Sequence, residues 1–209
     1  MRPFFKGHVV ERVPPKPMII VVDTTKAGSA SNTFVLPITK LSTEMVTIYW
    51  GDGQVSVGAT GNNTHVYAAS GTYTIKIYSK IFGGLSFNNA GDKLKILSIF
   101  SFGQAIHRDL FAAYHGCTNL SIIDTTGFIN NSVSLLNAFR DCAKLTTIRA
   151  FPTERTTTMS NTFQGCTLLT TIPLLALTNC TTIASMFQNC SALASIPAFD
   201  TSKVTSAVR

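Results

Sequence analysis

Five cysteines, four histidines and ten carboxylates are the residues of this 209-residue chain best placed to do chemistry. Cys117, Cys142, Cys166 and Cys190 recur at nearly equal spacing, and Cys180 stands outside that series. A zinc site needs ligands that converge in one locality, and a thiolate nucleophile needs a base or a cation beside it. Cysteines one repeat apart, each three residues after an aromatic, read instead as small buried hydrophobes. Their odd number argues against a closed disulfide framework. His107-Arg108-Asp109 and His115 form the other candidate cluster, but their spacing matches no zinc signature. His115 also holds the position that Arg140, Gln164 and Gln188 take in later repeats, so it is expected to face solvent. Asp52, between two glycines, could ligate Ca²⁺, which takes about six to eight oxygens. The acidic residue nearest to it is Glu44, so a turn-stabilising role fits better. No G-x-S-x-G, H-E-x-x-H, P-loop or carboxylate pair is present. The expectation is a non-enzyme with no catalytic residue, no metal and no cofactor.

The cysteines are part of a longer unit. Each lies three residues after Tyr114, Phe139, Phe163 or Phe187, and seven after Leu110, Leu135, Met159 or Ile183. Leucine follows at +3 (Leu120, Leu145, Leu169, Leu193) and isoleucine at +6 (Ile123, Ile148, Ile172, Ile196). With Φ for an apolar residue, the unit is Φ-x-x-x-F-x-x-C-x-x-L-x-x-I, and Pro173 and Pro197 directly follow two of the isoleucines. Positions i, i+4 and i+7 share a face of a helix, so the spacing predicts about two helical turns followed by a short extended segment. One unit cannot bury its apolar face alone, but stacked neighbours can. Leu94–Phe100 reads as the atypical first coil. The last repeat is incomplete at Thr205-Ser206-Ala207-Val208-Arg209, so a further unit or a partner is expected to cover it.

The first half has a different period. Met18–Val22, Thr33–Ile38, Met45–Trp50, Gln54–Val57, His65–Tyr67 and Thr72–Tyr78 read as short strands between Gly/Asn turns, the pattern of a small antiparallel sandwich. Trp50-Gly51-Asp52-Gly53, His65-Val66-Tyr67 and Gly71-Thr72-Tyr73-Thr74-Ile75 occur in the order of a W-G-D-G turn, an H-x-Y element and a G-x-Y-x-I strand. Over about residues 18–88 this resembles the PKD (polycystic kidney disease) domain, which implies an immunoglobulin-like sandwich used for display. The F-x-x-C-x-x-L units of residues 92–209 resemble the BspA-like leucine-rich repeats of surface and virion proteins. Together they predict a mixed architecture in three parts. An extended arm covers 1–17 and a PKD-like antiparallel β-sandwich covers 18–91. A leucine-rich-repeat solenoid of about 24 residues per coil covers 92–209, within the usual range of that repeat class.

Composition narrows the function. The formal charge is +7, yet charged residues make up only 13% of the chain and are scattered, so nucleic acid is not an expected partner. No apolar run is long enough to span a membrane, and Met1–Ile20 lacks a secretory-signal pattern. Ser and Thr total 46, with Thr alone at 28, which favours strands and turns. The arm carries Pro3, Pro14, Pro15 and Pro17, the apolar pairs Phe4-Phe5 and Val9-Val10, and Arg2, Lys6, Arg12 and Lys16 against Glu11. It reads as a tether, with Arg2, Phe4, Phe5, Lys6 and Arg12 as the partner-binding residues. The resemblances imply a phage virion structural or adhesion protein, such as a head or tail fibre or a decoration protein. Its arm would meet other virion subunits, its repeats a host surface protein or glycan, and a homo-oligomer is expected. The alternative is a secreted bacterial cell-surface adhesin.

Overall fold

The computed structural model describes residues 15–39, 45–108, 110–125, 129–149 and 151–207. The first half forms strands where β-branched and alternating residues predict them: β1 (Met18–Asp23), β2 (Thr33–Pro37), β3 (Thr47–Tyr49), β4 (Val55–Val57), β5 (Asn62–Val66) and β6 (Thr72–Tyr78). β1 alternates inward Met18, Ile20 and Val22 with half-buried Ile19, Val21 and Asp23. Ile75 and Ile77 of β6 point to the same core. β6 lies antiparallel to β1, with Ile20 opposite Ile75. β2 and β5 pair separately as an antiparallel ribbon. The result is a sandwich-like arrangement.

The second half continues the same sheet. It contributes β8 (Ile96–Ser101), β10 (Ile122–Ile123) and β12 (Thr147–Ile148). The seven-stranded order is β12-β10-β8-β1-β6-β3-β4. β8 is antiparallel to β1 on one side and parallel to β10 on the other. A parallel three-stranded sheet, β11-β9-β7, joins β7 (Ile81–Phe82), β9 (Ile106–His107) and β11 (Ile129–Asn130). One apolar core runs from Met18 through Trp50 and Phe102 to Met186.

Two expectations are corrected here. The PKD-like sandwich followed by a leucine-rich-repeat solenoid does not form. β8, read as the first coil, is the antiparallel partner of β1, so the repeats extend an open mixed sheet. Past β12 the strands shrink to isolated parallel bridges such as Thr147 to Thr171, and no coil closes. The second correction concerns the helical turns. Among the described residues the one helical element is the 3₁₀ turn Lys93–Lys95, and no helix forms over any Φ-x-x-x-F-x-x-C segment. Each such segment holds two left-handed residues. Ala112, Asn137, Asn161 and Ser185 form one column, with φ from 48° to 58°. Gly116, Asp141, Gly165 and Asn189 form the other, with φ from 59° to 77°. A left-handed residue ends a right-handed helix, so these segments fold as successive turns. Alternate amides then leave the segment and bond to the next unit: Asn137, Phe139 and Asp141 donate to Ser160, Thr162 and Gln164.

That alternation stacks the units like rungs. Ring centroids of Tyr114, Phe139, Phe163 and Phe187 follow one another at 5.5, 5.7 and 5.7 Å, within 5° of parallel. Threonine clamps the rungs. The Thr157, Thr181 and Thr205 hydroxyls each donate to the carbonyl at the equivalent position one unit earlier, at 2.9, 3.2 and 3.3 Å.

Candidate functional site

The cysteine ladder is packing. Cys117, Cys142, Cys166 and Cys180 are buried, Cys190 is partly buried, and all five are free thiols. Sγ of Cys142, Cys166 and Cys190 donates to the carbonyl of Tyr114, Phe139 and Phe163, one rung back, at 3.2, 3.2 and 3.0 Å. Burial pushes the Cys117, Cys142 and Cys166 thiols well up from their ordinary value, so a thiolate is disfavoured. Tyr114, Leu120, Phe139, Leu145, Phe163 and Leu169 are buried with them. Phe187 and Leu193, at the last rung, are partly buried.

The tryptophan turn is a second constellation. Gly51 and Gly53 both take φ of 91°, and the Gln54 amide donates to Asp52 Oδ1 at 3.0 Å. Asp52 Oδ2 lies 2.7 Å from His65 Nε2. The His65 ring stacks on Trp50 at 4.6 Å and meets the edge of Tyr67 at 4.4 Å. Tyr67 donates to the Trp50 carbonyl at 3.1 Å, and its ring stacks on half-buried Tyr73; Gly71 donates its amide to Thr24 Oγ1. Burial opposes ionisation of Asp52, yet the bonds from His65 and Gln54 prevail and hold it below its ordinary value. His65 takes the oxygen that a calcium ion would need, so the cluster is a brace for the turn.

His115 does not face solvent as its repeat position suggests. Its side chain is 13% exposed, and Nε2 lies 3.4 Å from Asp141 Oδ2, which Arg140 also approaches. Burial and Arg140 lower its pKa, and Asp141 offsets part of that. His107 is buried between the edges of Phe82 and Phe102, and its Nε2–H donates to the Phe102 carbonyl at 2.9 Å. Burial brings its pKa down to about 4. Asp109 and the arm residues Arg2, Phe4, Phe5, Lys6 and Arg12 lie outside the described residues. Among the described residues no group of three His, Cys, Asp or Glu could hold a metal ion, and no helix is long and apolar enough to cross a membrane.

The sequence reading missed a buried charge cluster where the halves meet. Asp92 and Lys95 are 1% and 0% exposed. Asp92 accepts from the Ser29 amide and hydroxyl and from the Val35 amide, at 2.6, 2.7 and 2.7 Å. Lys95 Nζ donates to Ser29 O, Ser29 Oγ, Ala30 O and Thr33 O, and lies 3.7 Å from Asp92. The cluster is fully satisfied and pins the β1–β2 loop to the start of the repeats. Partners this far apart in the chain carry no spacing signal.

Comparison with protein-family models, with curated proteins and with solved structures finds no match. The PKD and BspA-like resemblances therefore find no support beyond the short motifs themselves. The repeat flank carries exposed hydroxyls and a groove. Exposed Thr146 and Thr170 form a second hydroxyl column. A groove of about 770 Å³ crosses the units, floored by Phe151, Leu175 and Leu177 and flanked by Arg149, Glu154 and Asp200.

Proposed function

We propose that this chain is a non-enzymatic structural and adhesion protein, a virion component whose arm attaches it to other subunits while the stacked turns present a binding flank. The observation behind this reading is the regular rung-to-rung clamping of Thr157, Thr181 and Thr205, which holds an exposed surface at a fixed period. A preorganised surface loses little entropy when it binds. The groove across the units adds apolar contact with a polar rim, the composition that a protein or glycan ligand requires. The residues with unusual chemistry are committed to structure: the cysteines to packing, Asp52 to its turn, and Lys95 to the loop it binds.

The test is particle association. Full-length chain and a chain lacking residues 1–17 are expressed with the parent particle, and sedimentation of each with the particle is measured. The full chain is expected to sediment with particles and the truncated chain to stay folded in the supernatant. Co-sedimentation of both equally would remove the arm from the attachment, and sedimentation of neither would remove the virion assignment.

A further inference from the structure

The groove across the units lies in line with the point where the arm joins β1. Ile99, Ile123 and Ile148 pair across β8, β10 and β12, and Thr147 bridges to Thr171 in the next unit. By that register Leu174, Leu175 and Leu177 of the groove are the counterparts of Ser101, Phe102 and Gln104 in the first unit. Gln104 holds Lys16 by two bonds. Its amide donates to the Lys16 carbonyl at 3.0 Å, and its side-chain oxygen accepts from the Lys16 amide at 2.9 Å. Gly103, with φ of 72°, lets the chain come this close, since a Cβ there would lie 2.6 Å from the Lys16 carbonyl oxygen. The described chain therefore begins at a fixed point on the groove's own line.

Reach and chemistry select the occupant. Strands of a sheet lie about 4.8 Å apart, so Leu174, four strands from β1, is about 19 Å along that line from Lys16. An extended chain covers about 3.3 Å per residue, so Val10 and Val9, six and seven residues before Lys16, reach about 20–23 Å. Arg12 reaches about 13 Å, against about 14 Å to the unit that holds Glu154. The groove presents Glu154 and Asp200 against Arg149, and Leu174 is 69% exposed in its wall. The arm brings Arg2, Lys6 and Arg12 against Glu11, with the apolar pairs Phe4-Phe5 and Val9-Val10 among them. Opposite net charge and apolar residues at the right reach match this segment to this groove. Docking within one chain also acts at an effective concentration of about millimolar, an advantage that a separate partner lacks.

We propose that the arm docks in the groove of its own chain, with Val9 and Val10 against Leu174 and with Arg12 and Lys6 beside Glu154 and Asp200. An arm so placed covers the surface that a ligand of the flank needs. Its transfer to another subunit uncovers the groove, so attachment switches ligand binding on. That last step, unlike the docking, rests on the virion reading.

The test is the accessibility of the groove in the isolated chain. Leu174→Cys places a thiol on the exposed groove wall. Site-resolved mass spectrometry reads its labelling rate relative to that of Cys190, which reports an intact stack. Removing residues 1–14 is expected to speed labelling of the new thiol about tenfold, the ratio of docked to free arm. Val9→Asp with Val10→Asp in the full-length chain is expected to do the same. Glu154→Lys is expected to speed it in part, and Arg12→Glu added to that variant to slow it again. Equal labelling with and without residues 1–14 overturns the proposal, as does indifference to the two aspartates. Protection that rises with protein concentration overturns it too, because the groove would then hold the arm of a second copy. Each of these results is read without particles, so none of them bears on whether the chain sediments with a virion.

Discussion

At the residue scale, burial decides what the reactive groups do. Cys117, Cys142 and Cys166 sit where burial opposes a thiolate, and at Cys117 this outweighs the nearby Lys93, so labelling by a thiol reagent at mildly alkaline pH should require opening of the stack. Cys190, half-covered at the last rung, is expected to react first, with Cys117, Cys142 and Cys166 slower by on the order of 100-fold or more. Labelling of Cys142 as fast as Cys190 would contradict this. His107 sets a pH dependence. Its pKa is about 4 in the folded chain, against 6.5 unperturbed. Between those values the unfolded chain binds the extra proton, so stability is complete above about pH 6.5 and falls as pH drops toward 4. His115 is shifted in the same direction and adds to the slope. Urea midpoints taken from neutral pH down to that folded-state value should fall, and His107→Gln should flatten part of that fall. An unchanged slope in the variant would clear His107 of the effect. The cysteine ladder was legible from spacing alone. The surroundings of His115 were not, because Asp141 reaches it from the next unit, and repeat alignment says nothing of contacts between rungs.

At the element scale the rung, not the helix, is the unit of structure. The i, i+4, i+7 pattern named the buried residues Leu135, Phe139 and Cys142, but a run of turns with two left-handed residues shares that periodicity. The missed signal was the recurrence of Asn137 and Asn161, and of Gly116, Asp141, Gly165 and Asn189, residues that favour left-handed backbone. Asn161→Gly should therefore be close to neutral, whereas Asn161→Ala should cost about 1–2 kcal/mol. Equal effects of the two substitutions in chemical denaturation would refute the backbone argument. Position along the stack sets the value of each ring. Phe163 is 0% exposed between two neighbours, so Phe163→Ala should cost roughly 3–5 kcal/mol. Phe187→Ala, at the partly exposed last rung, should cost less than half as much. A loss below about 1 kcal/mol for Phe163→Ala would mean that the units do not share a core.

At the scale of the whole molecule, the two halves looked separable in sequence because their periods differ. The strands of the first half were legible from alternation and turn residues. The joining of the sheets was not, since nothing in β8 marks β1, at the far end of the first half, as its antiparallel partner. That pairing, with the Asp92–Lys95 cluster beside it, makes the halves one mechanical body. Lys95→Met removes the cation and strands a buried carboxylate, a change that costs about 3–5 kcal/mol when a buried pair is broken. The substitution lies in the repeat half, yet the groups it releases, Ser29, Ala30 and Thr33, belong to the first half. Trp50, the single tryptophan, reports the first half, and thiol exposure of Cys142 and Cys166 reports the stack. Both probes should give one urea midpoint in the unaltered chain and should shift together in Lys95→Met. The double variant Asp92→Asn, Lys95→Met should recover part of the loss, because the uncompensated charge is gone. Two separated midpoints, with only one moved by the substitution, would show that the continuous sheet does not couple the halves.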